Sequence, residues 1–476
     1  MSIAGGARES GLSSARLAAL ERVGLIDTVV KRRSRRFALG HHLDGGPFTY
    51  RSRHEPVPLT KEEEAILVFA ATGITGFSFG ELPYAPGAEP DTGSGNVMVS
   101  PYARTISSAD GVNAVSLFVL NDTGAFQIRR PQDYPRDEIP ELVEFAHARR
   151  FVELYDRARI RLADSRPEVP RRPPYTPPFN RWSANVPGST YFVLVSESTA
   201  LALTLLFLLL NEEMGYFLFD ERARYRPAGL KPFARSRGGH LHDDPNDLRV
   251  GTILEFESYM MELLAVEQGL MLQQLELATE ALGLGGFPHY GAQKHTWFEV
   301  LGFATEDISL SRLMNRGRIG TAAMNALRKN PSIAHPLGLV VDGEVTLRPY
   351  CPPWYASMEE AVHAFVDFKY AEGRGVFRDG SDASAWADPG AVQAGIPEYS
   401  QANIDAVVAY CEYVYRSYGR FFAYFGPLRS LMAYQAHHVD TEFYDRFFKP
   451  GAYHDLHRRH FEVWHAEEAG AGEGSS

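Results

Sequence analysis

The first residues with clear chemical capacity form one run, Lys31-Arg32-Arg33-Ser34-Arg35-Arg36-Phe37. Guanidinium forks and a serine hydroxyl can clamp a phosphate through bidentate and hydroxyl hydrogen bonds. Taken alone, the run reads equally well as a solvated charge patch or a nuclear-localisation-like signal. A second set, Arg104-Thr105-Ile106-Ser107-Ser108-Ala109-Asp110-Gly111, stands directly before an apolar stretch. Its hydroxyls and backbone N–H groups suit the edge of a flat ligand, or simply a loop entering a strand. A third set runs from Ala278 to Phe287 and includes Gly283, Gly285 and Gly286. Glycines let backbone amides approach a ring closely, and they also stop helices.

Histidines gather at His240 and His242 beside Asp243 and Asp244, and at His437 and His438 beside Asp440. A last group comprises His454, His457, His460 and His465. His454 and His457 share a helical face, one arrangement that binds a metal. Histidines at such spacing more often form an amphipathic surface or an aromatic-packed contact, so no metal is expected. Gly283-x-Gly285-x-x-Pro288 falls short of the dinucleotide fingerprint, because proline replaces the third glycine and a helix precedes it. The sequence contains no P-loop or HExxH pattern.

These residues need elements to position them. Thr60 and Glu63 have capping-box spacing ahead of apolar Ile66 to Ala71, with Gly73 and Gly76 as stops. Val112 to Leu120 reads as a buried strand, Asn121-Asp122-Thr123-Gly124 as a turn, and Gln127-Ile128 as the start of a return strand. A charged helix is expected over 138–162, then an irregular Pro/Arg-rich linker from Arg166 to Pro178. Leu201 to Leu210 is strongly apolar but is bounded by Glu197 and Glu212-Glu213. Its core is about half the roughly 20 residues a bilayer span requires, so a buried helix is expected. Leu254 to Leu282 carries a wide apolar stripe at helical spacing and reads as a long central helix. Leu337 to Val341 and Val345 to Leu347 flank Asp342-Gly343 as a hairpin. Ser14 to Leu25 reads as an amphipathic helix in a leader, and Ala466 to Ser476 as a disordered tail.

A chain of 476 residues can bury a large core and suggests two or three structural units. Its 48 Lys+Arg against 59 Asp+Glu give a net charge of −11. Such a surface argues against general nucleic-acid backbone binding, which needs an extended basic face. Cys351 and Cys411 are the only cysteines. A disulfide framework is therefore not expected, which suits a reducing compartment. The first residues lack the apolar segment of a signal peptide, and a cytoplasmic location is expected.

Taken in order, the three sets resemble the nitroreductase family. Its members begin with an R-R-S-x-R-x-F-like segment. A helix then opens with P-L-[ST]-x-E-E and ends in A-x-x-G, here Pro58-Leu59-Thr60-Lys61-Glu62-Glu63 through Ala70-Ala71-Thr72-Gly73. A segment with Arg, Ser and Gly in that order enters a strand, matched by Arg104, Ser107 and Gly111. A long helix ends in A-x-G-L-G, matched by Ala281 to Gly285. The resemblance covers roughly 28–125 and 251–348. It leaves 1–27 as a leader, 126–250 as an insertion and 349–476 as a helical C-terminal extension.

The resemblance implies an α+β fold with a nitroreductase-like mixed sheet flanked by helices, and FMN as cofactor. Arg32, Arg33, Ser34 and Arg36 would hold the FMN phosphate and ribityl chain. Arg104, Ser107 and Ser108 would lie along the isoalloxazine edge, and backbone amides near Gly285 and Gly286 would face N5 and O4. A late phosphate ligand would come from Arg316, Arg318, Arg328, Lys329 or Arg348. The implied partners are a small-molecule substrate, NAD(P)H and a second copy in a homodimer, without nucleic acid or membrane. The alternative is a flavin-binding or flavin-sequestering protein without turnover. One departure is the absence of the proline common before the serine of the second segment.

Overall fold

Apolar runs bounded by turn residues supply the strands of the central sheet. They are described in a computed structural model that covers residues 14–81, 97–289 and 294–465. In chain order the strands are β1 (Val115–Asn121), β2 (Gly124–Ile128), β3 (Arg159–Ala163), β4 (Thr190–Glu197), β5 (Gly285–His289), β6 (Leu428–Arg429) and β7 (Ala433–His437). They pair in the order β5-β7-β4-β1-β2-β3, with β6 also joined to β4. Every pairing in this sheet is antiparallel, with Phe118 opposite Val193 and Gly285 opposite His437. A parallel pairing occurs in a small separate sheet, between Phe217–Asp220 and Val250–Thr252. With its helices, the chain is α+β.

Successive side chains of a strand point to opposite faces, and here both faces are covered. Val115, Leu117, Val119, Phe192 and Leu194 face α1 (Lys61–Thr72) and the middle of α3 (Ile253–Leu282). Phe118, Leu120, Tyr191, Val193 and Val195 pack instead against Trp297 and Phe298. Two-sided burial explains why β1 and β4 are continuous apolar runs rather than alternating ones. A helical layer joins α2 (Thr199–Leu209), the start of α3, α4 (Met358–Tyr370) and α5 (Gln401–Tyr418). As expected, α2 is buried along almost its whole length. Among the described residues no helix is long and apolar enough to cross a membrane.

Capping fixes the two helices that matter most for the site. Thr60 and Glu63 form a reciprocal capping box on α1, and Thr252 and Glu255 do the same on α3. Other elements differ from expectation. The charged helix over 138–162 is two helices, Ile139–His147 and Phe151–Ala158, broken at Arg149 with φ +57. Its last residues turn into β3, because pairing with β2 overrides local helical preference. The helix expected over Ser14 to Leu25 ends at Glu21, and a second spans Leu25–Lys31. Strands β3 and β4 come from the 126–250 stretch, and β6 and β7 from the C-terminal extension. Both segments are thus woven into the central sheet. Residues 1–13 of the leader and the tail Ala466 to Ser476 lie outside the described residues.

Candidate functional site

The long helix α3 ends at Gly283, whose left-handed φ of +76 closes the last turn. Gly283 N–H donates to the Glu280 carbonyl and Leu284 N–H to the Thr279 carbonyl, a Schellman-type stop. The chain then enters β5 beside the basic run. A Cβ at Gly285 would stand 2.9 Å from His437 Nε2 and 3.0 Å from the Arg35 carbonyl oxygen. At Gly286 it would stand 2.3 Å from the Tyr434 hydroxyl. Close packing by the protein itself therefore requires these two glycines.

The run at 32–36 is pinned to the same corner. Arg35 is buried, donating to Glu280 Oε2 at 2.7 Å and to the Ala452 carbonyl at 2.9 Å. Arg32 pairs with Glu276 at 3.3 Å. Arg36 lies over the Phe287 and Trp182 rings at 4.5 and 5.2 Å and donates to Asn180 Oδ1 at 2.7 Å. Its Nε is buried without a hydrogen-bond partner among the described residues. Arg33 and Ser34 face outward. The first and third sets are thus neighbours.

The second set lies elsewhere. Arg104 is fully buried, donating to Glu267 Oε1, Thr72 Oγ1 and the Val115 carbonyl. Ser108 donates to Glu267 Oε2 at 2.7 Å, while Ser107 is exposed. Glu267 precedes Glu280 by 280 − 267 = 13 residues of one helix, about 20 Å at 1.5 Å per residue. Within one chain, Arg104, Ser107 and Ser108 do not join the corner formed by Arg32, Arg33, Ser34, Arg36, Gly285 and Gly286. Of the late cations, Arg348 borders a different cavity of about 300 Å³, together with Arg130, Asp133 and Glu197.

Two carboxylate–histidine groups occupy the corner. Glu63 Oε2 accepts from Thr60 N–H at 2.6 Å, as capping requires. Its other oxygen faces His460 Nε2 at 2.7 Å, His438 Nε2 at 3.3 Å and His465 Nε2 at 3.5 Å. All four side chains are buried. Burial pushes the Glu63 carboxyl up, but where the imidazoles are protonated the charge of His438 and hydrogen bonds from His438, His460 and His465 outweigh it, holding the group well below its ordinary range. In the second group Glu280 meets His454 Nε2 at 2.5 Å, with His457 alongside. Burial holds His457 at about 2 and His41 at about 3, and keeps His437 and His460 below the usual imidazole value. Sequence spacing separated these histidines into two groups and left Glu63 as a helix cap only. Nothing local in the sequence links them.

A cavity of about 370 Å³ adjoins this corner. Lys31 of the basic run, Ala281 and Leu282 before the glycine turn, and His460 all border it, with Arg22 and Arg459 adding positive charge.

What the fold and the site define is an α+β protein with a basic, histidine-rich corner at the C-terminal end of its central helix. No family model and no curated protein matches the sequence. One solved structure with some likeness is a provisionally assigned nitroreductase from Ralstonia eutropha JMP134, 12% identical, over 62% of this chain and 79% of that one. Its TM-score is 0.27.

Proposed function

We propose that the chain is an FMN-dependent oxidoreductase of nitroreductase type, transferring hydride to or from a small organic substrate. The observation that supports this is the meeting of the basic run with the turn ending α3, where Lys31, Ala281 and Leu282 border a cavity of about 370 Å³. In this reading Arg32, Arg33, Ser34 and Arg36 hold the phosphate end. The buried Nε of Arg36, without a partner among the described residues, is a donor in want of an acceptor, and buried donors are seldom left so. FMN, when bound, supplies two-electron hydride chemistry. The protein supplies a phosphate clamp, positive charge near the ring and exclusion of water. Arg104, expected along the isoalloxazine edge, is left out of the flavin site because its guanidinium is taken up by Glu267.

The reading includes a homodimer, NAD(P)H as one reductant, and nitro or quinone reduction or metabolite dehydrogenation as the reaction. Leu25, Ile26, Val29 and Val30 are exposed on one short helix, and Tyr259, Val266 and Leu270 on α3. Apolar surface of this kind is what a second copy would cover. Cys351 and Cys411 are both free and buried, in keeping with a reducing, cytoplasmic setting.

An absorbance spectrum of the purified chain tests the reading. Yellow protein that bleaches with NAD(P)H and recovers with an acceptor supports it. Yellow protein inert to every reductant points to flavin binding without turnover, and colourless protein that takes up no added FMN overturns both. The Arg32→Ala/Ser34→Ala variant should bind FMN on the order of a hundredfold more weakly. Two charge-assisted hydrogen bonds contribute about 1.5 kcal/mol or more each, and about 1.4 kcal/mol is tenfold. Unchanged affinity in a folded variant would refute the phosphate assignment.

A further inference from the structure

We propose that Glu63, His438, His460 and His465 form a closed metal site for one divalent transition ion, zinc first among them. The proposal does not rest on the flavin reading. It starts from hydrogen-bond roles. His438 Nδ1 lies 2.9 Å from the Val57 carbonyl oxygen, and His460 Nδ1 lies 2.9 Å from that of Leu282. A carbonyl can only accept, so each Nδ1 carries its hydrogen. In a neutral ring the opposite nitrogen, Nε2, then presents a lone pair. A carbonyl behind each imidazole is also the outer contact that fixes the tautomer of metal-bound histidine.

Both lone pairs face Glu63 Oε1, an acceptor as well, and Oε2 of the same carboxylate is engaged by the Thr60 cap. Three acceptors therefore converge in a buried space. Among the described residues, one N–H from His465, whose Nε2 is 3.2 Å from His438 Nε2 and 3.5 Å from Glu63 Oε1, cannot satisfy all of them. A cation at their centre would.

The spacing agrees. Ligands held about 2.0–2.1 Å from a tetrahedral zinc stand about 3.3–3.4 Å apart. The separations here are 3.2, 3.3 and 3.5 Å, with Glu63 to His460 tighter at 2.7 Å. All four ligand atoms lie within 4.8 Å of one another. Imidazole and carboxylate ligands suit zinc. The cluster Glu280, His454 and His457 differs, because Arg35 already supplies a cation to Glu280 at 2.7 Å.

Four protein ligands leave no open position, so the ion is structural rather than catalytic. It would join the first turn of α1, the residue after β7 and the short helix His460–Trp464 with His465 just beyond it. The ion would thereby hold the C-terminal segment against the corner that borders the cavity.

Elemental analysis of the untagged full-length chain is the test. About one zinc per chain is expected after dialysis, and His460→Ala should reduce it at least tenfold. His454→Ala should leave it unchanged, since that residue serves the other cluster. Should His460→Ala fail to fold, wild-type protein stripped by a chelator decides the matter. Added Zn²⁺ should raise its melting temperature by several degrees, and Co²⁺ should give the intense visible bands of a four-coordinate ion. A folded, metal-free chain that takes up neither ion and gains no thermal stability overturns the proposal. It would assign the cluster to a protonated histidine–carboxylate network.

Discussion

Arg104 shows how a residue suited to ligand binding can be committed to structure instead. Its guanidinium makes three contacts inside the fold, to Glu267, Thr72 and the Val115 carbonyl. Burial lowers its pKa, and the Glu267 charge opposes that shift. Removing one member of such a pair strands the other charge in the interior, which costs about 3–5 kcal/mol, whereas replacing both by apolar side chains is often close to neutral. Arg104→Met and Glu267→Leu should therefore each lower the urea midpoint strongly, and the double variant should recover much of the loss. Simple additivity of the two single effects would show that the charges are not coupled. Residue types alone cannot separate the two fates of an arginine. Arg36, lying over the Trp182 and Phe287 rings, and Arg104, ion-paired with Glu267 in the interior, look the same in sequence.

The long helix α3 offers the sharpest contrast between elements and their punctuation. Gly269, in its middle, has nothing within 4 Å of a built Cβ. Gly269→Ala should stabilise the chain by about 0.5–1 kcal/mol, the helix-propensity difference. Gly283 has φ +76, and a Cβ there would stand 2.4 Å from the Leu456 carbonyl oxygen. Gly283→Ala should destabilise by about 1–2 kcal/mol or more from left-handed backbone strain alone. Thermal melts of the two variants should move in opposite directions, and a shift of the same sign would contradict this account of the helix stop. Signals of this local kind were legible: the Thr60–Glu63 box, the Asn121–Gly124 turn, the buried apolar helix at Thr199–Leu209 and the end of α3. Elements that exist through distant pairing were not. Strand β3 takes the end of an apparent helix because β2 lies beside it, and β7 is a short run, Ala433 to His437, with Gln435 at its centre.

At the scale of the whole molecule, the corner site draws on segments near residues 32–36, 60–63, 280–286 and 437–465. Only two of its parts were visible in order along the chain. Its assembly depends on the sheet closing, which no short pattern encodes. The same long-range packing governs one pH response. Glu257 on α3 is buried and accepts from Ala423 and Tyr424 N–H, each at 2.7 Å. Burial raises its pKa from 4.5 to about 8, against the lowering effect of those hydrogen bonds and of Arg420 and Arg222. Between these two values the folded chain holds a proton that the unfolded chain has released. Stability must then fall as pH rises through that window. A shift of this size corresponds to about 5 kcal/mol at most, at about 1.36 kcal/mol per unit. Glu257→Gln cannot ionise, and other titrating groups are common to both proteins. The stability of the variant relative to wild type should therefore improve steadily between about pH 5 and pH 9 in paired urea titrations. A difference independent of pH would mean that Glu257 is ionised in the folded chain throughout, its charge held by the 423–424 amides and the two arginines.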